Sequence, residues 1–437
     1  MSNLVGLEST QRFSGKIVVP TLFFLSPVIT AAVPRLTWLF LALLALALIF
    51  AAQRRNEGIP LFKWNAALIA VLIVIGYVFL NSTWAVDSHT ALNKALLITA
   101  VSLSTFAVAA AVPRIDSSTL RKAAFTFALG GFIAAFFITF ELLTDGAITR
   151  LALNSIQLLH RPNAKHATIL YGQIAHLNPS DLNQNVAILT LNLWPMLLAL
   201  QVEDPDWRSM RPVMFLVMAG IPVLLSEHQS SQLALVLSSA VYVVARLWPR
   251  PVVRGLAALW CAAFMLVLPA DFLAYKAGLH EASWLPSSFR ARVIIWEYTA
   301  EKVFDHPWLG IGADSTRALN ELHQAKETPP GFIFPRTSAW HAHDLFLQTL
   351  FELGVVGAVL MAIAGAAAIL RISLLPAPAQ PFAAAGLTCF LTIASFGWGM
   401  WQTWLICGVA LFVLYLLALS DLSRRERRAG RSYEAWF

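Results

Sequence analysis

Charged residues are scarce in this chain of 437 residues, where they make up 13% of the sequence against 58% hydrophobic residues. A water-soluble domain carries more charge than this on its surface, so the composition excludes an ordinary soluble enzyme. The long apolar runs instead predict an all-α polytopic membrane protein. The net charge of +7 is concentrated in short loops and a basic tail, which argues for anchoring at a membrane and against nucleic-acid binding.

Cysteine is also nearly absent, since the chain contains only three. Cys261, Cys389 and Cys407 all lie in apolar runs, so neither a disulfide framework nor a thiolate metal site is expected. The sequence has no Gly-x-Ser-x-Gly nucleophile turn, no zinc-protease histidine spacing, and no strand before its glycine-rich stretch. These absences argue against a serine hydrolase, a zinc enzyme and a nucleotide-binding protein, and we expect no metal and no cofactor.

About twelve apolar stretches have the length and composition of membrane helices. They cover approximately residues 17–33, 36–52, 65–83, 94–112, 122–143, 183–201, 211–225, 230–247, 253–270, 345–370, 381–396 and 400–419. The predicted organisation is five helices in 1–144, an outer segment at 145–182, four helices in 183–270, a large outer loop at 271–342, three helices in 343–420 and a basic tail at 421–437. The large loop thus separates the ninth helix from the tenth.

Lysine and arginine are distributed unequally between the two sides of this arrangement. With both termini inside, the cytoplasmic segments hold 19 of the 31 basic residues, whereas the short outer loops hold only Arg35 and Lys94. The positive-inside rule therefore predicts cytoplasmic termini and places the segments 145–182 and 271–342 on the outer face. Loops of this length usually carry function, so we expect the active site on that face.

The tenth predicted span begins with polar groups that are unusual in membrane sequence. If 345–370 forms one continuous helix, Asp344, Gln348 and Glu352 share one of its faces. An ionisable group at this depth is costly unless it faces protein or water. The stripe therefore predicts either a functional site or polar contacts that hold helices together.

Two histidines precede this stripe, and two glycines follow it. In helical geometry His341 joins the polar face, while His343 points about 100° away from it. Gly354 and Gly357 would allow a neighbouring helix to approach closely. Histidine can take up a proton near neutral pH, so the pair marks the mouth of this span as a candidate site.

The large outer loop contains a predicted amphipathic helix at 287–304. Its apolar face is formed by residues at helical spacing, namely Phe289, Val293, Trp296, Ala300, Val303 and Phe304. Arg290 and Arg292 flank this face, where they can bind an anionic headgroup or extend to lipid phosphates. Arg161 and Lys165 of the first outer segment are further candidate cations. Arginines beside a histidine base suit transfer from a phosphate-activated donor.

At this point the sequence resembles a known family. His343, Asp344, nine residues, Gly354, two residues and Gly357 resemble the His-[Asn/Ser/Gln]-x9-Gly-x2-Gly signature of the O-antigen ligase family. The spacing of Arg292 and Trp296, the HPWLGIGADS stretch at 306–315 and the asparagine-rich entry into the sixth span are similar to further blocks of that family. Together these matches cover roughly residues 177–360.

The resemblance implies a GT-C-like glycosyltransferase of the bacterial inner membrane that needs neither metal nor nucleotide. Its expected reaction transfers a polysaccharide from undecaprenyl pyrophosphate to a hydroxyl of the lipid A-core, with a periplasmic active site. By the same resemblance His343 is the general base, and Arg290 or Arg292 contacts the pyrophosphate. His341, Asp344 and the two polar residues below them are supporting residues.

Two features depart from the family pattern. Asp344 stands where the family mostly has an amide or hydroxyl side chain, and the stretch 226–234 lacks the Ser-Arg pair found in many relatives. The missing cation would have to be replaced by His228, by Gln232 or by the cations of the first outer segment.

Several alternatives stay open at this level. An O-antigen polymerase or a protein O-oligosaccharyltransferase would share the signature and the donor, and would differ in the acceptor. A transporter or flippase is disfavoured because the chain shows no internal repeat. Trp398, Trp401 and Trp404 fit an aromatic belt at the membrane boundary or a sugar-stacking role. Glu141 fits a boundary position or a site carboxylate.

Overall fold

Helices make up nearly all of the regular structure in the computed structural model. The structure describes residues 2–53, 64–156, 167–203, 210–325 and 327–430. The helices are α1 (Ser2–Ala32), α2 (Thr37–Ala52), α3 (Ala66–Asn81), α4 (Ser88–Ala111), α5 (Ser117–Leu143), α6 (Ala147–Ser155), α7 (Asn183–Glu203), α8 (Arg211–Leu225), α9 (Gln229–Leu247), α10 (Pro249–Lys276), α11 (Ser287–Val303), α12 (Glu321–Gln324), α13 (Leu345–Leu370), α14 (Gln380–Phe396) and α15 (Thr403–Arg428). An antiparallel hairpin of β1 (Ala167–Leu170) and β2 (Gln173–Leu177) lies between α6 and α7.

Each of the twelve predicted spans corresponds to a helix. Ten helices in the described ranges are long and apolar enough to cross a membrane, and the all-α polytopic fold is thereby confirmed. The remaining two, α3 and α8, are apolar but shorter, at 16 and 15 residues. The hairpin was not predicted, because its strands are only four and five residues long and carry no strong alternation.

Several helices begin at polar residues that satisfy their first backbone N–H groups. The Asp87 side chain accepts from Thr90 N at 3.0 Å at the start of α4, and that of Asn65 accepts from Leu68 N at 3.2 Å before α3. Such caps set where an apolar run becomes a helix. Glu141 has a similar role, since it is buried and accepts from the N–H groups of Ile148 and Thr149 in the first turn of α6. The boundary and active-site hypotheses for Glu141 therefore both give way to a structural role.

The apolar residues form three packed clusters, and α13 contributes to two of them. The largest cluster joins α1, α2, α5, α7, α14 and α15, with α7 buried along almost its whole length. A second joins α10, α11 and α13, and a third joins α3, α4 and α13. All three cysteines are free. The position of α13 between two clusters fixes the residues at its start.

The helix α11 packs on protein through its apolar face. Val293, Trp296, Ala300 and Val303 are buried in the cluster shared with α10 and α13. Phe304, which was assigned to the same face, is exposed because it lies beyond the last helical residue. The helix predicted at 287–304 is thus present as α11, and protein covers its apolar face.

The prediction of α13 as a continuous helix is wrong at Gly354. This residue has φ 67° and ψ −175°, a conformation that interrupts the helix and is accessible almost only to glycine. The segment 307–312 lies against the break and completes its hydrogen bonds. Ile311 N and Gly312 N donate to the carbonyls of Phe351 and Glu352 at 3.2 and 2.9 Å, and Val355 N donates to the Pro307 carbonyl at 2.8 Å. Irregular backbone within a membrane helix is stable only when protein supplies these partners.

Glycines on both sides make this contact possible. A Cβ on Gly354 would lie 2.3 Å from the Trp308 carbonyl oxygen, and one on Gly310 would lie 2.4 Å from the Glu352 carbonyl group. Gly357 instead faces α3, where an added Cβ would lie 3.0 Å from the ring of Tyr77. The expectation of a closely packed neighbouring helix thus holds for Gly357, whereas Gly354 accommodates a loop.

Candidate functional site

His343 lies in the last loop residues before α13, with its backbone in the left-handed region at φ 55°. Its ring Nδ1 donates a hydrogen bond to the Gly397 carbonyl at 2.7 Å. Because a carbonyl only accepts, Nδ1 carries the proton and the lone pair of the neutral ring is on Nε2. The geometry therefore leaves one nitrogen of His343 available to accept a proton from a substrate.

His341 and His343 are neighbours, which corrects the helical projection that separated them. Their ring centroids are 4.1 Å apart. The helix begins only at Leu345, so the loop backbone before it, with His343 in the left-handed region, turns the two rings together. His341 Nε2 is buried and has no hydrogen-bond partner among the described residues. Burial, together with the charges of His343, Arg317 and Arg292, lowers the pKa of His341 well below its usual range.

The turn at 397–402, between α14 and α15, is held by residues from two other helices. Besides the His343 contact, the Gln348 side-chain oxygen accepts from Met400 N at 3.0 Å, and the Trp401 indole donates to Glu352. From the start of α9, the Ser230 hydroxyl donates to the Phe396 carbonyl at 2.9 Å. The polar face of α13 therefore positions a turn that also holds the candidate base.

Glu352 is the most strongly hydrogen-bonded member of that face. It is fully buried and accepts from Asp314 N at 3.1 Å, from Thr316 N at 3.2 Å and from the Thr316 hydroxyl at 2.5 Å. The Gln348 amide donates to it at 3.3 Å, in addition to the Trp401 indole. A buried carboxylate with five donors is a structural anchor. Glu352 joins the loop after 312 to both α13 and the turn at 397–402.

Asp344 caps α13 and does not contact His343 through a hydrogen bond. Its side chain accepts from Phe346 N at 2.7 Å and from Leu347 N at 2.9 Å. Burial raises the pKa of Asp344 to about 6, although these two hydrogen bonds act in the opposite direction. Asp344 is the residue that departs from the family pattern. Its carboxylate caps the N-terminus of α13, a role that an amide or a hydroxyl side chain could also fill.

Arg292 lies close enough to the histidines for its charge to affect them. Burial and the Arg292 charge lower the pKa of His343 to about 4, while the hydrogen bond to Gly397 raises it. Burial also lowers the pKa of Arg292 itself. In the described part of the chain no carboxylate pairs with Arg290 or Arg292, and Arg290 Nε is buried without a partner. Arg292, which has no carboxylate partner among the described residues, lies near a neutral histidine and is suited to bind an anion there.

His228 is in the same region but cannot replace a missing arginine. Burial and the charge of Arg292 lower its pKa to about 4, so the ring is neutral. The Trp398 indole donates to its Nε2 at 3.2 Å, and its Nδ1 is 2.6 Å from the Ser231 hydroxyl. Gln232 donates to the carbonyls of Leu224 and Ser226, which keeps it in the local turn. Neither side chain supplies a positive charge.

A polar cavity of about 560 Å³ opens beside His341 at this end of the bundle. Residues from five helices and their loops line it, namely Arg35, Trp38, Lys94, Gln184, Asp314, Arg317, Trp340, His341, Gln348, Gly399, Trp401, Gln402, Thr403 and Trp404. Trp401 and Trp404 are 4% and 6% exposed, so the prediction of an aromatic belt facing lipid is wrong for both. Their indoles face the interior because the turn at 397–402 folds inward.

Three cations of this cavity were not predicted as site residues. Arg35 and Lys94 were counted only as loop charges, and Arg317 was not singled out. Lys94 in fact lies within α4, six residues after its start at Ser88. A lysine inside a membrane helix is itself a signal for function, and an earlier helix start would have revealed it.

Two predicted site residues, Arg161 and Lys165, lie outside the described residues. For metals, the described ranges contain no group of three or more histidine, cysteine, aspartate or glutamate side chains placed to hold an ion. Of the other predicted residues, His343, Gln348 and Glu352 contact the turn at 397–402, and the His341 ring lies against that of His343.

The helices and this buried polar cluster define a polytopic membrane protein with a candidate catalytic centre at one end of its bundle. Residues 214–362 match the model of a protein family described as O-antigen ligase, and this match supports a relationship to that family. The region includes Arg290, Arg292, His341, His343 and Glu352, and the break in α13. No curated protein matches the chain.

Proposed function

We propose that this protein is an O-antigen ligase of the bacterial inner membrane. It transfers a polysaccharide from undecaprenyl pyrophosphate to a hydroxyl of the lipid A-core. The observation that carries the proposal is a histidine, His343, whose Nδ1 is hydrogen-bonded so that Nε2 can accept a proton, close to Arg292 and within the region that matches the O-antigen ligase model. The distribution of basic residues supports cytoplasmic termini and a periplasmic site at the end of the bundle where α13 begins.

In this mechanism His343 acts as general base. Its Nε2 takes the proton of the acceptor hydroxyl while that oxygen forms a bond to the anomeric carbon of the donor sugar. The bond from that carbon to the pyrophosphate oxygen breaks, and its electron pair leaves with undecaprenyl pyrophosphate. Arg290 and Arg292 hold the pyrophosphate and stabilise its developing charge. A GT-C-like transferase that uses neither metal nor nucleotide needs no further group for this step.

The same arrangement makes the base responsive to the donor. Without an anion, burial and the positive charge of Arg292 hold the pKa of His343 near 4, which makes the ring a weak base. Bound pyrophosphate offsets that positive charge and raises the pKa of His343 towards neutral pH, where a general base works best. Donor binding therefore prepares the histidine for the acceptor.

The decisive experiment is a reconstituted reaction with the purified full-length protein. The donor is undecaprenyl-pyrophosphate glycan, supplied with lipid A-core or with no acceptor, in chelator and without nucleotide. Glycan attached to lipid A-core is the expected product. Longer lipid-linked chains in both reactions would identify an O-antigen polymerase, and glycan on an added acceptor protein would identify a protein O-oligosaccharyltransferase. Activity that is lost in chelator and restored by magnesium or zinc would contradict a metal-free reaction.

A transporter gains no support from the polar face of α13. That hypothesis required Asp344, Gln348 and Glu352 to form a path through the membrane. The three side chains instead hold a helix N-terminus, the turn at 397–402 and the loop after 312. Groups that are fixed by several hydrogen bonds are suited to positioning rather than to conduction.

The charge of Arg292 gives a testable pH dependence. In the wild-type protein the active, neutral form of His343 predominates above about pH 4. Arg292→Gln removes a positive charge that lowers this pKa, so the pKa rises and the acid limb of the kcat/KM profile moves to higher pH. The maximal rate also falls, because the donor-binding site loses a positive charge. A lower rate with an unshifted acid limb would show that Arg292 does not act on the base.

A further inference from the structure

The polar cavity beside His341 carries positive charge without a full set of counter-ions. Its lining includes Arg35, Lys94 and Arg317 and a single carboxylate, Asp314, which pairs with Lys94 at 3.1 Å. Two of the three cations are therefore left without a carboxylate in the cavity wall. Positive side chains around a space of about 560 Å³ favour an anionic ligand.

The remainder of the lining suits a saccharide. Four indole rings, those of Trp38, Trp340, Trp401 and Trp404, face the cavity. An indole offers a flat apolar surface that can cover the C–H face of a sugar ring, while side-chain amides and hydroxyls can bind its hydroxyl groups. Gln184, Gln348, Gln402 and Thr403 supply such polar groups around the same space.

Hydrogen bonds hold the walls of the cavity in place. Glu352 fixes the loop that carries Asp314 and Arg317 through hydrogen bonds to the N–H groups of Asp314 and Thr316. Lys94 donates to the Trp401 carbonyl at 2.9 Å, which ties α4 to the turn at 397–402. The loop backbone and Lys94 are thus held in place, and a preorganised wall of this kind strengthens affinity.

The cavity is separate from the arginines assigned to the donor. Neither Arg290, Arg292 nor His343 lines it, whereas His341, whose ring contacts that of His343, does. A sugar in the cavity thus approaches the base from the side of His341. An apolar crevice of about 440 Å³ shares Trp401 with the cavity, which gives a lipid attached to such a sugar an apolar surface nearby.

We propose that this cavity is the acceptor subsite and that it binds an anionic sugar, bearing phosphate or carboxylate, of the core oligosaccharide. This inference rests on the proposed ligase function, in which Arg290 and Arg292 bind the donor. Arg317 and Arg35 contact the anionic group, and the tryptophans cover the sugar ring. The hydroxyl to be glycosylated is then presented to the histidine pair.

Kinetics with three acceptors test the assignment. The purified full-length protein is assayed with lipid A-core, with the same glycolipid after phosphatase treatment, and after reduction of its carboxyl groups. For Arg317→Gln and Arg35→Gln we expect the KM for intact acceptor to rise roughly tenfold or more, with the donor KM unchanged, because a charge-assisted contact is lost. The treated acceptor that lacks the recognised group should show equal KM values in wild-type and variant proteins, which identifies phosphate or carboxylate.

Lys276→Gln is the matched control, since Lys276 is exposed at the end of α10 and does not line the cavity. A rise in the donor KM with an unchanged acceptor KM would overturn the inference and assign the cavity to the donor. Equal KM values for all proteins and acceptors would also overturn it.

Calorimetric binding of the isolated core oligosaccharide, without donor, separates this inference from the proposed function. We expect saturable binding that Arg317→Gln weakens roughly tenfold and Lys276→Gln leaves unchanged. If the protein binds the oligosaccharide in this way but transfers no glycan, the ligase function fails and the anionic-sugar site stands. Absence of binding, or binding unaffected by Arg317→Gln, overturns the site whatever the turnover.

Discussion

Replacement of His343 by alanine is expected to lower transfer to lipid A-core by roughly 10²–10⁴-fold, the range that a positioned general base contributes. The physical reason is the loss of Nε2, the nitrogen left free by the hydrogen bond from Nδ1 to the Gly397 carbonyl. The measurement is the initial rate of glycan attachment by the purified protein, at saturating donor and acceptor. The apparent donor KM should change little, because the arginines stay in place.

Two further variants separate base chemistry from positioning. His343→Asn keeps an N–H that can reach the Gly397 carbonyl but has no basic nitrogen, so we expect it to be as inactive as alanine. His306→Ala removes an exposed histidine from the same long loop and should retain the wild-type rate. A His343→Asn protein with near wild-type turnover would restrict His343 to holding the turn, and another group would then have to be the base.

Gly354→Ala is expected to have the largest effect on stability. The backbone at φ 67° and ψ −175° costs a residue with a side chain about 1–3 kcal/mol. In addition, the new Cβ would lie 2.3 Å from the Trp308 carbonyl oxygen, a separation that requires the backbone to move. The contact between 307–312 and α13 would open, and with it the anchor formed by Glu352.

Thermal unfolding of detergent-purified protein, followed together with its size-exclusion profile, measures this effect. We expect a marked fall in Tm or loss of the monodisperse peak for Gly354→Ala. Gly76→Ala is the matched control, because a Cβ at Gly76 in α3 meets no atom within 4 Å. An unchanged Tm for Gly354→Ala would show that the break in α13 does not depend on glycine.

The helices could be predicted because their apolar runs are long. The position of the break in α13 could not. Hydropathy averages over many residues, so it cannot register one glycine at which the backbone leaves the helix. The signature glycines suggested close packing, but whether a helix or a loop approaches Gly354 depends on the path of 307–312. That path is a long-range contact, and no local pattern in the sequence encodes it.

The chemistry of the site could be predicted from the sequence, but only some of the residues that form it could. Gln348 and Glu352 were recognised because ionisable or amide groups rarely enter an apolar span, and His341 and His343 because they stand at its mouth, where His343 begins the family signature. Their contacts with the turn at 397–402 were not recognised, since these depend on the path of the chain between α14 and α15, far from α13 in the sequence. The tryptophans of that turn show the same limit, because a sequence gives an indole near a membrane boundary but not the side it faces.

The contact between 307–312 and the interrupted helix α13 also limits which segments could be exchanged between related proteins. Each partner completes backbone hydrogen bonds that the other leaves open. A chimera that received α13 from another protein, without the matching segment 307–312, would lack the partners for these backbone hydrogen bonds. The segment 307–312 and α13 would therefore have to be exchanged together.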